Sequence, residues 1–428
     1  MTATAGQRLI SLDAFRGITI AGMILVNDPG SWDHVYAPLQ HAHWHGWTPT
    51  DLVFPFFLFI VGVALTFSFK RRLERGGTRA ALLAQVVRRT IILFLLGLIM
   101  YGFPDFRLIG PYILVITGLS FLFADAPVMG FGVSGGVLAR KAVAWAVLVG
   151  AVVYFVLDFD HFQETKLRVP GVLQRIAVCY LFASLIVMTC GVWGRAAWAA
   201  VLLAGYWLIV KYVHPPAGFA ADVTGPDGLL HEWIDVHVLG AHLYRQRPDP
   251  EGILSTLPAI ATTLAGVLTG NWLQAAREKS EKTLGLFCAA NVALVLGLWL
   301  SYAFPISKKI WTSSYVLVTA GVALHFLAMC FWLIEIKDYR RWAWPFVVFG
   351  SNAIVVYVAS SLVAKLLVRT TLTSAAGGQV SLSGWLYQNV FASWAGPKNG
   401  SLAYALVYVL VWLAPMIVLY RRRIFVKI

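Results

Sequence analysis

Apolar runs close to 20 residues long recur along this 428-residue chain, separated by short polar connections. A helix needs about 20 apolar residues to cross the hydrocarbon layer of a bilayer, where every backbone N–H and C=O must be satisfied internally. The runs lie near 14–29, 51–69, 90–103, 109–124, 142–157, 171–190, 197–212, 254–274, 284–303, 312–334, 346–367 and 402–420. They predict an all-α, polytopic membrane bundle of about twelve transmembrane helices, forming one domain over residues 1–428. The chain is 59% hydrophobic and only 13% charged, against roughly 25% charged residues in a soluble domain. An ordinary soluble domain, a disordered tail and a fibrous repeat are therefore excluded.

The net charge of +14 would suit a nucleic-acid binder, but its distribution indicates topology instead. With the N-terminus inside, the inner loops and helix ends hold 22 of the 34 Lys and Arg residues. Lys and Arg are retained on the cytoplasmic side, so both termini are predicted cytoplasmic, and no nucleic-acid partner is expected. Asp13 and Arg16 interrupt the first apolar run, and no small-residue cleavage site follows it, so that helix is expected to stay rather than be removed as a signal peptide. The external segment 213–253, rich in Pro, Gly, His and acids, reads as a lid or vestibule. A second external stretch, near 369–400, is rich in Ser, Gly and Thr. Cys179, Cys190, Cys288 and Cys330 lie in apolar runs without metal-ligand spacing, so no disulfide framework is expected. No internal repeat of the kind many transporters carry is visible.

Ionisable and amide groups at membrane depth are costly and become functional candidates. The densest set lies in the first 51 residues. Asp13 and Arg16 share a face of the first helix, Asn27 ends it, and Gln40 to Trp47 leads to Thr48-Pro49-Thr50-Asp51 at the start of the second. His41, His43 and His45 alternate and would share one side of an extended strand. A zinc site is one reading, but spacing without external Cys is a weak signal for it. His43 and His45 also read as interfacial residues beside Trp44 and Trp47. A third reading is acid–base chemistry: His41 takes a proton, Asp51 fixes its tautomer, and Asn27 donates to a developing oxyanion. Those roles together describe acyl transfer.

Further along, Gln174-Arg175 lies early in a span, where Arg175 needs an acidic partner or an anionic ligand. Asp249-Pro250-Glu251-Gly252 reads as a helix cap. The segment from Lys308 to Tyr315 suits interfacial anchoring or an anion contact, and Gly350-Ser351-Asn352 suits close packing or a ligand hydrogen bond. Lys70-Arg71-Arg72-Leu73-Glu74-Arg75 reads as a topology signal in contact with lipid headgroups. No Walker loop or GxGxxG signature is present.

These residues in this order resemble a known family. The segments Arg8-Leu9-Ile10-Ser11-Leu12-Asp13-Ala14-Phe15-Arg16-Gly17, Val26-Asn27, His41 to Thr48 and Asp51-Leu52-Val53-Phe54-Pro55 look like heparan-α-glucosaminide N-acetyltransferase and its bacterial NagX-type relatives. The likeness recurs at Pro170 to Arg175, Asp249 to Leu254, Pro305 to Tyr315, Gly350 to Tyr357 and Tyr420 to Ile428. It implies a transmembrane acetyltransferase that moves an acetyl group from cytosolic acetyl-CoA to the amine of a glucosamine-like sugar on the far side. The implied catalytic residues are His41, Asn27 and Asp51. The resemblance implies a donor site near Asp13, Arg16, Gln174 and Arg175, and Arg8, Tyr315 and Asn352 are expected to belong to it as well. Against the lysosomal enzyme, the chain lacks the large lumenal N-terminal region and a first helix, and spans 109–124 and 142–157 have no counterpart. His43 and His45 inherit no role.

The expectation is thus a bacterial inner-membrane acetyltransferase acting on a small aminosugar, with acetyl-CoA as donor and no metal. The bilayer is its solvent, and a homodimer stays open. An aminosugar transporter using the same polar cavity is the alternative, and a non-catalytic envelope scaffold ranks third.

Overall fold

The computed structural model describes residues 9–123, 137–216, 229–244, 248–373 and 378–426. Arg8 and residues 217–228 and 245–247 of the external segment lie outside the described residues. The helices run in the order α1 (Ile10–Asn27), α2 (Pro49–Glu74), α3 (Arg79–Gly102), α4 (Phe106–Leu122), α5 (Val137–Leu157), α6 (Phe159–Thr165), α7 (Val172–Thr189), α8 (Val192–Tyr212) and α9 (Leu230–Leu239). They continue with α10 (Thr256–Gln274), α11 (Lys279–Leu300), α12 (Ser313–Phe331), α13 (Trp344–Ser351), α14 (Ala353–Arg369), α15 (Leu382–Leu386), α16 (Ser393–Ala395) and α17 (Pro397–Arg421). Among the described residues the only sheet is a short antiparallel hairpin, in which Thr371–Thr373 pairs with Gln379–Ser381.

The helix starts follow local chemistry. Four backbone N–H groups are orphaned at each start, and short oxygen-bearing side chains satisfy them best. Thr78 Oγ1 accepts from Ala81 N–H, Asp105 Oδ1 from Leu108 N–H, and Thr312 Oγ1 from Tyr315 N–H. α2 opens with a capping box in which Thr48 and Asp51 serve each other's backbone, with Pro49 in the first turn.

Among the described residues, nine helices are long and apolar enough to cross a membrane, or ten when α13 and α14, bent by 82° at Asn352, count as one broken span. That corrects the twelve expected from the sequence. The helix in the 109–124 run, α4, has 17 residues and falls short in length. The helix in the 254–274 run, α10, falls short in apolarity, because Thr262, Thr263, Gly266, Thr269 and Gly270 dilute it. Its polarity is tolerated because α10 packs against α2, α7 and α8, and most of it is buried in protein.

Two close backbone crossings build the centre. A Cβ added at Gly62 of α2 would lie 1.9 Å from the Thr263 carbonyl oxygen, and one at Gly266 would lie 2.0 Å from that of Phe59. At the α1–α13 crossing, a Cβ at Gly17 would lie 1.7 Å from the Phe346 carbonyl oxygen, and one at Gly350 would lie 2.0 Å from that of Asp13. Lipid tails are as apolar as leucine, so helices in a membrane gain from packing density, which small residues permit. The described part of the external segment is docked rather than free. Leu229 and Leu230 pack with Tyr206, Leu254, Phe304 and Ile310, Tyr206 Oη lies 2.6 Å from His231 Nε2, and Ile253 N–H donates to Asp235 Oδ1 at 2.8 Å.

Gly266→Val should force α2 and α10 apart, because the blocking atoms are backbone. Overpacking of this kind costs about 1–3 kcal/mol. A lower unfolding temperature of the purified protein in detergent is the expected result.

Candidate active site

Asp51 sits three residues into α2 and is fully buried. Its carboxylate gathers the preceding loop. Oδ2 accepts from the N–H groups of Ala42 and Thr48, each at 3.0 Å, while Thr48 Oγ1 donates to the Gln40 carbonyl at 2.6 Å. The loop is thereby folded over the helix start, and His41 is delivered to the remaining oxygen, with Nδ1 2.8 Å from Asp51 Oδ1. The His41 side chain stays 47% exposed. A carboxylate on Nδ1 selects the tautomer that leaves Nε2 as a base, and the exposed edge lets a ligand reach it.

A second strand of chain completes the arrangement. Gly46 N–H donates to the Ile306 carbonyl at 2.8 Å, and Gly46 and Ser307 form an isolated parallel bridge. Gly46 has φ +86°, a left-handed conformation that glycine adopts without strain. Ser307 N–H donates to Thr312 Oγ1 at 3.0 Å, which anchors the same segment to the start of α12. Lys308 is thereby placed with Nζ 3.3 Å from Asp51 Oδ1 and 2.9 Å from His41 Nδ1. Burial pushes the Lys308 ammonium's pKa down, while Asp51 and Glu251 pull against that shift. Tyr315 Oη donates to the Asp51 main-chain carbonyl, so Tyr315 braces the helix start.

Asn27 is the exposed last residue of α1 and hydrogen-bonds neither His41 nor Asp51. Gln174 and Arg175 are buried, with the Gln174 amide against Gly97 of α3. Arg175 donates to the Gly252 carbonyl and Ser255 Oγ and lies over the Trp311 ring, 5.1 Å from its centroid. Asp249 and Glu251 pair with Arg168 at 2.5 and 2.6 Å, and α10 itself starts later, at Thr256. Burial works against the Arg168 charge, but Glu251 and Asp249 outweigh it and hold the guanidinium firmly protonated.

At the other end of α2 lies a cavity of about 770 Å³, within the usual range for small-ligand pockets. Arg16, Arg72, Arg88 and Arg89 line it together with apolar residues that include Ile20, Phe57, Ile60, Val61 and Leu173. Arg16 bonds Asp13 Oδ1 at 3.0 Å and the Gly350 carbonyl at 3.3 Å, and the Arg89 guanidinium lies over the Tyr180 ring. Asn352 lines the cavity too, but its amide is engaged by the C-terminal segment. It donates to the Ile424 carbonyl at 2.9 Å and accepts from Val426 N–H at 3.0 Å. Asp51 and Arg72 stand at opposite ends of α2, roughly 30 Å apart at 1.5 Å per residue, which is about a bilayer core. On α2 the cavity lining reaches up to Phe57, roughly 9 Å short of Asp51 along the axis.

The structure thus brings together His41, Asp51 and Tyr315, and separately Arg16 and Asn352. Gln174 and Arg175 are in neither lining, and Arg8 lies outside the described residues. The reading from sequence left out of its site Lys308, whose signal was a basic pair just before a span, and Arg72, Arg88 and Arg89. The signal in Arg88 and Arg89 was their depth, at the tenth and eleventh of the 24 residues of α3.

Residues 8–300 match the family model described as heparan-alpha-glucosaminide N-acetyltransferase, catalytic. This chain belongs to that family. Among relatives of the heparan-alpha-glucosaminide N-acetyltransferase family, it is 27% identical to the Homo sapiens heparan-alpha-glucosaminide N-acetyltransferase over 480 residues, covering 98% of this chain and 60% of the human protein. It is 28% identical to the Mus musculus protein of the same name over 388 residues, covering 83% of this chain and 53% of that protein. The chain therefore spans a little over half of the length of the relatives it matches. The family segment contains α1 to α3, α7, the His41 loop and the four cavity arginines.

Asp51→Asn should leave the Lys308 ammonium without its counter-ion. Breaking one partner of a buried pair costs about 3–5 kcal/mol, and the low end applies because 17% of the Lys308 side chain is exposed. Adding Lys308→Met should restore most of the lost thermal stability, as read from a double-mutant cycle in detergent.

Proposed function

We propose that this chain is an acetyl-CoA-dependent N-acetyltransferase of the bacterial inner membrane, which acetylates the amine of a small, glucosamine-like sugar on the periplasmic side. One observation carries the reading. A half-exposed histidine oriented by a buried carboxylate stands at one end of α2, and a cavity with four arginines opens along the other end.

The chemistry follows from the parts. Arg16, Arg72, Arg88 and Arg89 suit the phosphates of CoA, because guanidinium groups bind phosphate in a fork that lysine lacks. The apolar stretch beyond them suits the pantetheine arm, and the excess of basic residues puts this end in the cytosol. At the His41 end, Nε2 removes the proton from the attacking amine as the C–N bond forms. The C–S bond of the thioester then breaks, and the same proton passes from His41 to the sulfur, giving the amide and free CoA. Attack by His41 on the thioester, through an acetyl-imidazole, gives the same products with ping-pong kinetics. Asn27 is assigned the donor to the oxyanion. The arm must pass between Phe57 and Asp51, so the helices around Phe57 and Tyr357 have to part when donor binds.

Purified protein in detergent, supplied with radiolabelled acetyl-CoA and glucosamine, should form labelled N-acetylglucosamine. His41→Ala should lower kcat by orders of magnitude while leaving CoA binding nearly intact, and unchanged turnover would sink the assignment. Asn27→Ala should cost about 10²–10³ in kcat. The Arg72→Gln, Arg88→Gln pair should raise KM for acetyl-CoA by about 10- to 100-fold with little change in kcat. An equal KM would place the donor elsewhere.

A further inference from the structure

The His41 ring has one nitrogen facing two neighbours that ask opposite things of it. Asp51 Oδ1, 2.8 Å from Nδ1, accepts a proton, whereas the Lys308 ammonium, 2.9 Å from the same Nδ1, donates one. Nδ1 cannot serve both. With Nδ1–H directed at Asp51, Lys308 is left to the carboxylate, 3.3 Å away. Asp51 Oδ2 is already taken by two backbone N–H groups, so Oδ1 is where both partners meet. Lys308 Nζ also lies 3.4 Å from Nε2, so the ammonium is close to both ring nitrogens.

This lysine is not a loose surface cation. Its segment is fixed to the His41 loop by the Gly46–Ile306 hydrogen bond and to α12 through Thr312, and its side chain is 17% exposed. The other charged groups it faces are Glu251, itself bound to Arg168, and its neighbour Lys309.

We propose that Lys308 is a positioning residue for the histidine: its ammonium balances the Asp51 charge, so that Asp51 orients the ring without trapping it as an imidazolium. An isolated carboxylate at hydrogen-bond distance favours the protonated ring, and a protonated ring can neither take a proton from an amine nor attack a thioester. With Lys308 present, the Asp51–Lys308 pair is neutral, and proton uptake by His41 makes the cluster cationic, which returns the proton readily to the leaving sulfur. The catalytic part of this inference rests on the acetyl-transfer reading, whereas the charge balance does not.

Two readouts separate the two. The first is the rate of carbethoxylation of His41 against pH, followed on its own peptide by mass spectrometry, in wild type, Lys308→Gln, Lys308→Met and Lys308→Arg. Only the neutral ring reacts, and no turnover is needed. Lys308→Gln and Lys308→Met should move the onset of reactivity up by about one pH unit, and Lys308→Arg should not. The second is kcat/KM against pH, in which the acid limb should move by the same amount with KM for acetyl-CoA unchanged. A structural role alone would lower the folded fraction and leave both profiles in place. Superimposable His41 profiles for wild type and Lys308→Gln overturn the proposal. If no amine is acetylated by wild type, the acetyl-transfer reading falls, and the carbethoxylation profile still decides the role of Lys308.

Discussion

The Asp51 carboxylate holds together pieces of chain that would otherwise have no reason to meet. It caps its own helix through Thr48, folds the loop back through Ala42, receives His41, and pairs with Lys308 from a segment more than 250 residues away. A fully buried carboxylate is tolerable only when its oxygens are hydrogen-bonded and its charge is balanced. Each partner meets part of that demand. The histidine is therefore held not by packing of its own ring but by the electrostatic need of its neighbour, which leaves the ring half-exposed and accessible.

The basic end is organised by a different force. Of the four arginines around the cavity, Arg16 is on the helix that crosses α13 at Gly17 and Gly350, and Arg72 is on the helix that crosses α10 at Gly62 and Gly266, where glycine lets main chains touch. Arg16 illustrates the coupling. Its guanidinium bonds the Gly350 carbonyl that the α1–α13 crossing brings within reach. Helix packing and site geometry are the same constraint here, and a residue that loosens the crossing moves a wall of the cavity.

The bundle was legible in the sequence because apolar length is a direct reading of the solvent. The failures came where that reading is indirect. α10 is buried by other helices, so its threonines and glycines follow protein packing rather than lipid, and α4 is a helix too short to span. The pairing of His41 with Asp51 was legible because it is local, ten residues apart around a capping signature. Lys308 was not, since nothing in a linear segment says which distant carboxylate its ammonium meets. Arg72, Arg88 and Arg89 read as orientation signals for the same reason: the sequence reports their charge and depth but not which way they turn. Asn352 has its amide engaged by the C-terminal segment, whereas Arg175 uses only Nη2, on the turn before α10, and its buried Nε and Nη1 have no hydrogen-bond partner among the described residues.

The break at Asn352 gives the cavity something no side chain supplies. α14 begins there, and its first residues, Ala353 and Ile354, are part of the cavity wall. The peptide dipoles of a helix sum to about half a positive charge at its start, where N–H groups lack internal partners. The 82° bend at Asn352 places that start within the cavity lining. The cavity thus carries a share of its attraction for anions in the main chain itself, a share that substitution of arginines would leave standing and that drift in the surrounding sequence would preserve for as long as the helix stays broken.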